Sequence, residues 1–198
     1  MNEEGAAYLS PGHHGSALPC WKDARRRLSQ AAIAEAVLEL TVTRPAATLS
    51  VAEVAERAGV SRATFYAHAA SVTGFLQALM AQRLREHVLA SDVGGPVRTL
   101  GTLVAPIVAH LEQHRSIYQT SLTAPAARSS LSDGVRLQLY AQLVESPWAM
   151  QPKPAAIVSA TIAQAIYVEL LDDCVPSVDS VVATLRSTTR VVNKMPWL

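Results

Sequence analysis

The sequence predicts an all-α fold of about nine helices, on three observations. Beyond residue 28, apolar residues recur at three- and four-residue spacing. No stretch alternates apolar and polar residues between hairpin turns, as half-buried strands would. The composition, 49% hydrophobic and 17% charged over 198 residues, suits a globular chain with a sizeable core and excludes a disordered charged tail.

Taken in order, Ile33, Ala36, Val37 and Leu40 mark one face of a first helix from about Ser29 to Thr43, which Pro45 stops. Ser50 and Glu53 then form the S-x-x-E capping box of a second helix, with Leu49 and Val54 at the positions of a hydrophobic staple. Val51, Val54, Ala55 and Ala58 make its apolar stripe. Gly59 ends it, because a left-handed residue costs glycine almost nothing. Ser61 is placed to cap a third helix, Arg62 to about His68, with Val60 and Phe65 turned inward.

A fourth helix is expected from Ser71 to Ala90, with Phe75, Leu76, Leu79 and Leu84 inward, before the Gly94-Gly95-Pro96 break. Leu100, Leu103, Val104, Ile107, Val108 and Leu111 repeat at helical spacing, and Pro106 is expected to kink that helix. Shorter helices follow around Ile117 to Leu122 and Arg128 to Glu145. The last two are expected at Pro154 to Asp173 and Ser177 to Val192. The organisation is thus a mobile arm over 1–21, a first domain over 22–70, a connecting helix and break over 71–95, and a second domain over 96–198.

Net charge is only +1, so bulk attraction to phosphate is excluded and any polyanion must meet a local cluster. Residues 21–90 hold that excess, nine Lys and Arg against six Asp and Glu. The two cysteines, Cys20 and Cys174, have no metal-ligand spacing, so a reducing, cytoplasmic setting is the expectation. The arm lacks a signal-peptide core. The uncharged stretch between Lys153 and Glu169 is shorter than the ~20 residues of a membrane helix. No nucleophile elbow, phosphate-cradling glycine loop or zinc-hydrolase motif is present, so no enzyme and no cofactor are expected. His110 and His114 stand four apart, but two ligands make an incomplete site, and no metal is expected.

The segment Leu49 to His68 resembles the helix-turn-helix of the tetracycline-repressor family of bacterial transcriptional regulators. The match runs through Ile33, Ala36-Val37, Ser50-Val51, Val54-Ala55, Ala58-Gly59-Val60-Ser61 and Thr64-Phe65-Tyr66-Ala67-His68. Residues 96–198 match the family loosely, in the string His110 to Leu122. The resemblance implies a three-helix DNA-binding domain followed by a larger helical domain for effector binding and dimerisation. Three departures stand out: Val72 where a Lys is usual, Ala69 where an aromatic is usual, and Pro45 where Gly is usual. Phe75 or another side chain is expected to fill the space beside Ala69.

The residue chemistry agrees. Ser61, Arg62, Ala63, Thr64, Tyr66 and His68 sit on or at the ends of the third helix, and Arg62 suits guanine O6 and N7. Thr64 suits a base or a thymine methyl. By the resemblance, Tyr66, His68 and Ser50 hold phosphates, the last at a helix N-terminus. Arg25, Arg26 and Arg27 are read as an arm just before the first helix, reaching phosphates or a narrow minor groove. Ligand-lining candidates are Ile107, His110, Leu111, His114, Tyr118, Tyr140, Trp148 and Ile166. Dimer candidates are Ile157, Ile162, Ile166 and Leu170, with Val178, Val182, Leu185 and Val192. The function expected is a homodimeric regulator, a repressor, that binds a palindromic operator and is released by a small-molecule effector. The other reading, motivated by Val72 and the small net charge, is a ligand-sensing or protein-interaction module whose DNA head has lost its grip.

Overall fold

A computed structural model describes residues 21–91, 99–122, 125–145, 150–171 and 177–192; these form nine α-helices and one 3-10 turn, with no strand among the described residues. Side chains are described except at 21, 22, 122, 125–130, 171 and 188–192. The arm, the Gly94-Gly95-Pro96 break and Trp148 lie outside the described residues, as does the side chain of Val192.

The first helix, α1, spans Trp21–Thr41 and so begins two turns earlier than the apolar pattern predicts. Arg, Leu, Gln and Ala are strong helix formers and Asp23 complements the first turn, so the helix extends where nothing is buried. Arg25, Arg26 and Arg27 therefore belong to α1 itself rather than to an arm preceding it. A 3-10 turn, Ala46–Thr48, leads to α2, Val51–Arg57.

The capping box of α2 is complete. The Glu53 N–H donates to Ser50 Oγ at 3.2 Å, and the Ser50 N–H donates to Glu53 Oε2 at 2.8 Å. Leu49 and Val54 are both buried, as staple residues are. At the other end Gly59 adopts φ 65°. Its N–H donates to the Glu56 carbonyl at 3.1 Å, and the Val60 N–H reaches back to Ala55 at 2.9 Å. A Cβ built on Gly59 meets nothing within 4 Å. Gly59→Ala should therefore cost about 1–2 kcal/mol from backbone conformation alone, and Gly59→Asn less; urea midpoints of the two variants measure it.

Next come α3, Arg62–Tyr66, and α4, Val72–Ser91. The remaining helices are α5, Leu100–Gln113, α6, Arg115–Leu122, α7, Pro125–Glu145, α8, Pro152–Leu171, and α9, Val178–Val192. Pro106 lies inside α5, which continues past it as one element. α7 packs along α8, α9 lies against α8 and α5, and α4 touches α1 and the 3-10 turn on one side and α5 and α7 on the other. One apolar cluster runs from Ile33 through Phe75 and Leu103 to Leu185. A second link joins the two ends of the molecule, since α6 packs on α1 and Thr120 Oγ1 donates to the Val42 carbonyl at 3.2 Å.

Four dimer candidates are core residues instead. Ile162, Ile166 and Leu170 are almost wholly buried within the single chain, and Leu185 is buried against the same cluster, so none of them offers surface to a second copy. α8 carries apolar residues on more than one side, and its own neighbours α7 and α9 cover most of them. Ile157 stays 68% exposed, while Val178 and Val182 are half-buried.

Candidate nucleic-acid interface

Phe65 is the one buried residue of α3. Its ring lies 6.0 Å from that of Phe75 on α4 and meets Tyr66 edge-on at 6.1 Å. With that anchor set, Arg62, Ala63, Tyr66 and the following Ala67 face solvent. Val60 is only half-buried. Ser61 caps α3 by accepting from the Thr64 N–H at 3.0 Å, and its hydroxyl lies 2.8 Å from Thr64 Oγ1. The two hydroxyls thus serve the helix start, which leaves the Thr64 methyl as its unengaged group.

His68 does not stand as a free cation. Its Nε2 is 2.9 Å from Ser29 Oγ on α1, and that hydroxyl donates its proton to the Arg26 carbonyl at 3.0 Å. Both bonds are satisfied when Nε2 carries a proton and donates to Ser29 Oγ. Partial burial first, and the Arg26 charge second, hold the imidazole below its usual range. His68 is therefore a strut that ties the end of α3 to α1.

Ser50 is similarly committed, because its hydroxyl donates to Glu53 Oε2 at 2.8 Å. The Glu53 carboxyl is lowered to about 2, chiefly by the Ser50 N–H, then by that hydroxyl and by Arg44, whose Nη1 is 3.0 Å away. A fixed negative charge thus sits at the start of α2, and a phosphate there would have to be drawn by Arg44. Arg57 pairs with Glu39 between α2 and α1, an exposed bridge that contributes little by itself.

Beside this face lies an open groove of about 380 Å³ between α1 and the start of α4, lined by Arg26, Gln30, His68, Ser71 and Phe75 among others. Ala69 is on its wall, so Phe75 lines the space it was expected to fill but leaves it open. Ser71 caps α4 by accepting from the Gly74 N–H at 3.1 Å, and Val72 is buried in the core.

In the second half, Ile107, His110, Leu111, Tyr118 and Ile166 are buried, while His114 and Tyr140 are half-buried. His110 Nε2 is 3.2 Å from the Tyr118 hydroxyl, and its ring lies 4.8 Å from His114 and 5.9 Å from His87. Among the described residues no three His, Cys, Asp or Glu are placed to hold a metal ion, and no helix is long and apolar enough to cross a membrane.

Residues 33–79, from the middle of α1 into α4, match the family model described as bacterial regulatory proteins, tetR family. Over those residues the chain is similar to bacterial regulatory proteins of the tetR family. The capped turn and the exposed face of α3 lie within the matched residues.

Solved structures of similar fold include the TetR family repressor AlkX from Dietzia sp. strain DQ12-45-1b, 18% identical over 72% of this chain and 83% of that one, TM-score 0.51. A TetR transcriptional regulator from Rhodococcus sp. RHA1 is 18% identical over 86% and 98%, TM-score 0.55. The dihydroxyacetone kinase operon activator DhaS is 14% identical over 82% and 97%, TM-score 0.56. At these identities the likeness is one of an all-helical fold. No curated protein sequence matches the chain.

Sequence reasoning missed Ser29 and Arg44, which tie α1 to His68 and the α1–α2 connection to Glu53. Ser29 and His68 are 39 residues apart, beyond any local spacing rule. The S-x-x-E box drew attention to Glu53, but not to the Arg44 that pairs with it.

Proposed function

We propose that the protein is a homodimeric repressor that binds a palindromic operator through two copies of α3 and is released by a small-molecule effector. In this reading 22–70 is the DNA-binding domain, 71–95 the connection and 96–198 the effector-binding and dimerisation domain. The observation that carries it is the exposed face of α3, with Arg62, Ala63 and Tyr66 outward and Phe65 locked beneath. Arg62 reads a base edge, the Thr64 methyl and Ala63 meet apolar groups in the major groove, and Tyr66 and Arg26 take phosphates. Arg25 and Arg27 project from other sides of α1, since successive helical residues turn by about 100°.

A second copy packs on the exposed side of α8, where Ile157, Thr161, Gln164 and Val168 follow one another along the helix, together with the neighbouring part of α9 at Val178 and Val182. That dimer sets two reading helices ~34–36 Å apart, or a multiple of it. The effector acts by population shift, through its preference for one spacing of the heads, with a coupling of typically ~1–3 kcal/mol. α4 and the packing of α6 on α1, with its Thr120 to Val42 hydrogen bond, are routes between the proposed ligand domain and the head. AlkX is described as a repressor and DhaS as an activator, so this fold serves both signs. Lowered output from a promoter carrying the selected site is the outcome that marks repression here.

Selection of bound duplexes from a random pool with the purified protein should return a palindromic consensus, with affinity that falls steeply as salt rises. A pool that yields no enriched duplex even at low salt would favour a module without a working DNA head. Arg62→Ala should lose about 1–3 kcal/mol of discrimination at one base pair per half-site while the unfolding midpoint stays in place. An unchanged site preference would remove Arg62 from base reading.

A further inference from the structure

The groove between α1 and the start of α4 has room for a ligand. Its volume of about 380 Å³ falls at the lower end of the ~300–1,000 Å³ range of small-molecule pockets. It stays open because the α4 side carries little bulk: residues 69, 70 and 78 are alanines and residue 74 is glycine. Phe75 and Leu79 complete the apolar part of the lining. Arg26 and Gln30 supply the α1 side, four residues apart and so on one face of that helix.

Arg26 is the only Arg, Lys, Asp or Glu that lines the groove. It is exposed, and it pairs with no carboxylate among the described residues. The other polar groups are engaged or uncharged. His68 is bonded to Ser29 and held below its usual range, so it is neutral at pH 7. Ser71 accepts from the Gly74 N–H, and Gln82 donates at 2.8 Å to Glu86, which lies outside the lining. A cation in this groove would meet the Arg26 charge and find no opposite one. A carboxylate would gain the paired hydrogen bonds that a guanidinium makes to two oxygens, with the Gln30 amide beside them.

We propose that this groove binds a small aromatic carboxylate, its ring on Phe75 and the alanines and its oxygens on Arg26 and Gln30. The Phe75 ring already lies 6.0 Å from that of Phe65, so a ligand ring seated against it extends an existing aromatic row. The site lies in the head, apart from residues 96–198, and goes beyond the effector reading. An Arg26 that holds a carboxylate has no fork left for a phosphate, so a filled groove competes with the operator; that consequence alone rests on the proposed DNA contact.

The test uses the full-length protein without DNA and three probes with the same two-ring body: 2-naphthoate, 2-naphthalenemethanol and 2-naphthylmethylamine. Calorimetric titration at pH 7 should detect the carboxylate, with the neutral alcohol roughly 3- to 10-fold weaker and the ammonium weaker still. Arg26→Gln should bring the carboxylate down to the level of the alcohol. Ala78→Trp fills the groove from an exposed position of α4, so its unfolding midpoint should stay close to the parent's while all three probes lose binding. No binding of 2-naphthoate at millimolar concentration, an amine that binds as tightly as the carboxylate, or an unchanged naphthoate affinity in folded Arg26→Gln and Ala78→Trp would each overturn the proposal. Operator binding is read in parallel, where 2-naphthoate should weaken the parent and leave Ala78→Trp unaffected. Arg26-dependent naphthoate binding that leaves operator affinity unchanged would remove Arg26 from the phosphate contacts and spare the groove site.

Discussion

Phe65→Ala should destabilise the α1–α3 head by about 3–5 kcal/mol and abolish the proposed operator binding, although Phe65 lies beneath the face proposed to meet DNA. α3 has five residues, and Phe65, at 0% exposure, is the only one of them buried. A helix this short has little stability of its own, so its position depends on that side chain between Phe75 and the base of Tyr66. The site is also poorly able to collapse around a hole, because α1 and α4 already stand apart at the groove beside Ala69. Phe65→Leu keeps most of the volume and should cost about 1.5 kcal/mol or less. Urea unfolding and duplex binding of both variants test the point. A Phe65→Ala protein within 1 kcal/mol of the parent would mean that α3 is held by something else, and Ser29 with His68 would be the place to look.

The parts of this architecture that were legible beforehand are those governed by contacts within four residues. The Ser50 and Glu53 box, the left-handed Gly59 and the Ser61 cap depend on local spacing, and each forms as the spacing requires. The first two turns of α1 were not legible because they bury nothing; Arg25 to Leu28 are all exposed, so helix propensity acts there without an apolar pattern to reveal it. On the interface, an outward-facing Arg62 follows from Phe65 pointing inward, but the neutral, strut-like state of His68 depends on Ser29, a residue far away in the chain. The α8 surface departs from its apolar pattern for another reason. Periodicity reports that Ile162, Ile166 and Leu170 are shielded from water, and an own-chain neighbour shields a side chain as well as a second subunit does.

Acid should unfold the protein well before its carboxylates would by themselves, with His110 the main cause. The folded chain keeps His110 neutral to about 3, because burial removes its hydration and because His114, His87 and Arg83 add only positive neighbours. In the unfolded chain the same imidazole takes up a proton near pH 6.5. Between those two values the unfolded state binds the extra proton, so stability is full above about pH 7 and declines by up to about 1.4 kcal/mol per pH unit as the solution is acidified. The fall should level off only near pH 3, where folded His110 accepts a proton and would then crowd a second charge against Arg83. His114 and His68 are lowered as well and act in the same direction. Glu53 joins at the acid end, since its contribution is present above the ordinary carboxyl range and is lost as pH falls from 4.5 toward 2. Urea midpoints at pH 7.5, 6, 5 and 4 should trace this decline. His110→Gln, which keeps a group able to bond Tyr118 but cannot titrate, should remove the largest part of it. A parent protein with the same stability at pH 7.5 and pH 5 would mean that His110 reaches water more easily than its packing between α4, α5 and α6 allows.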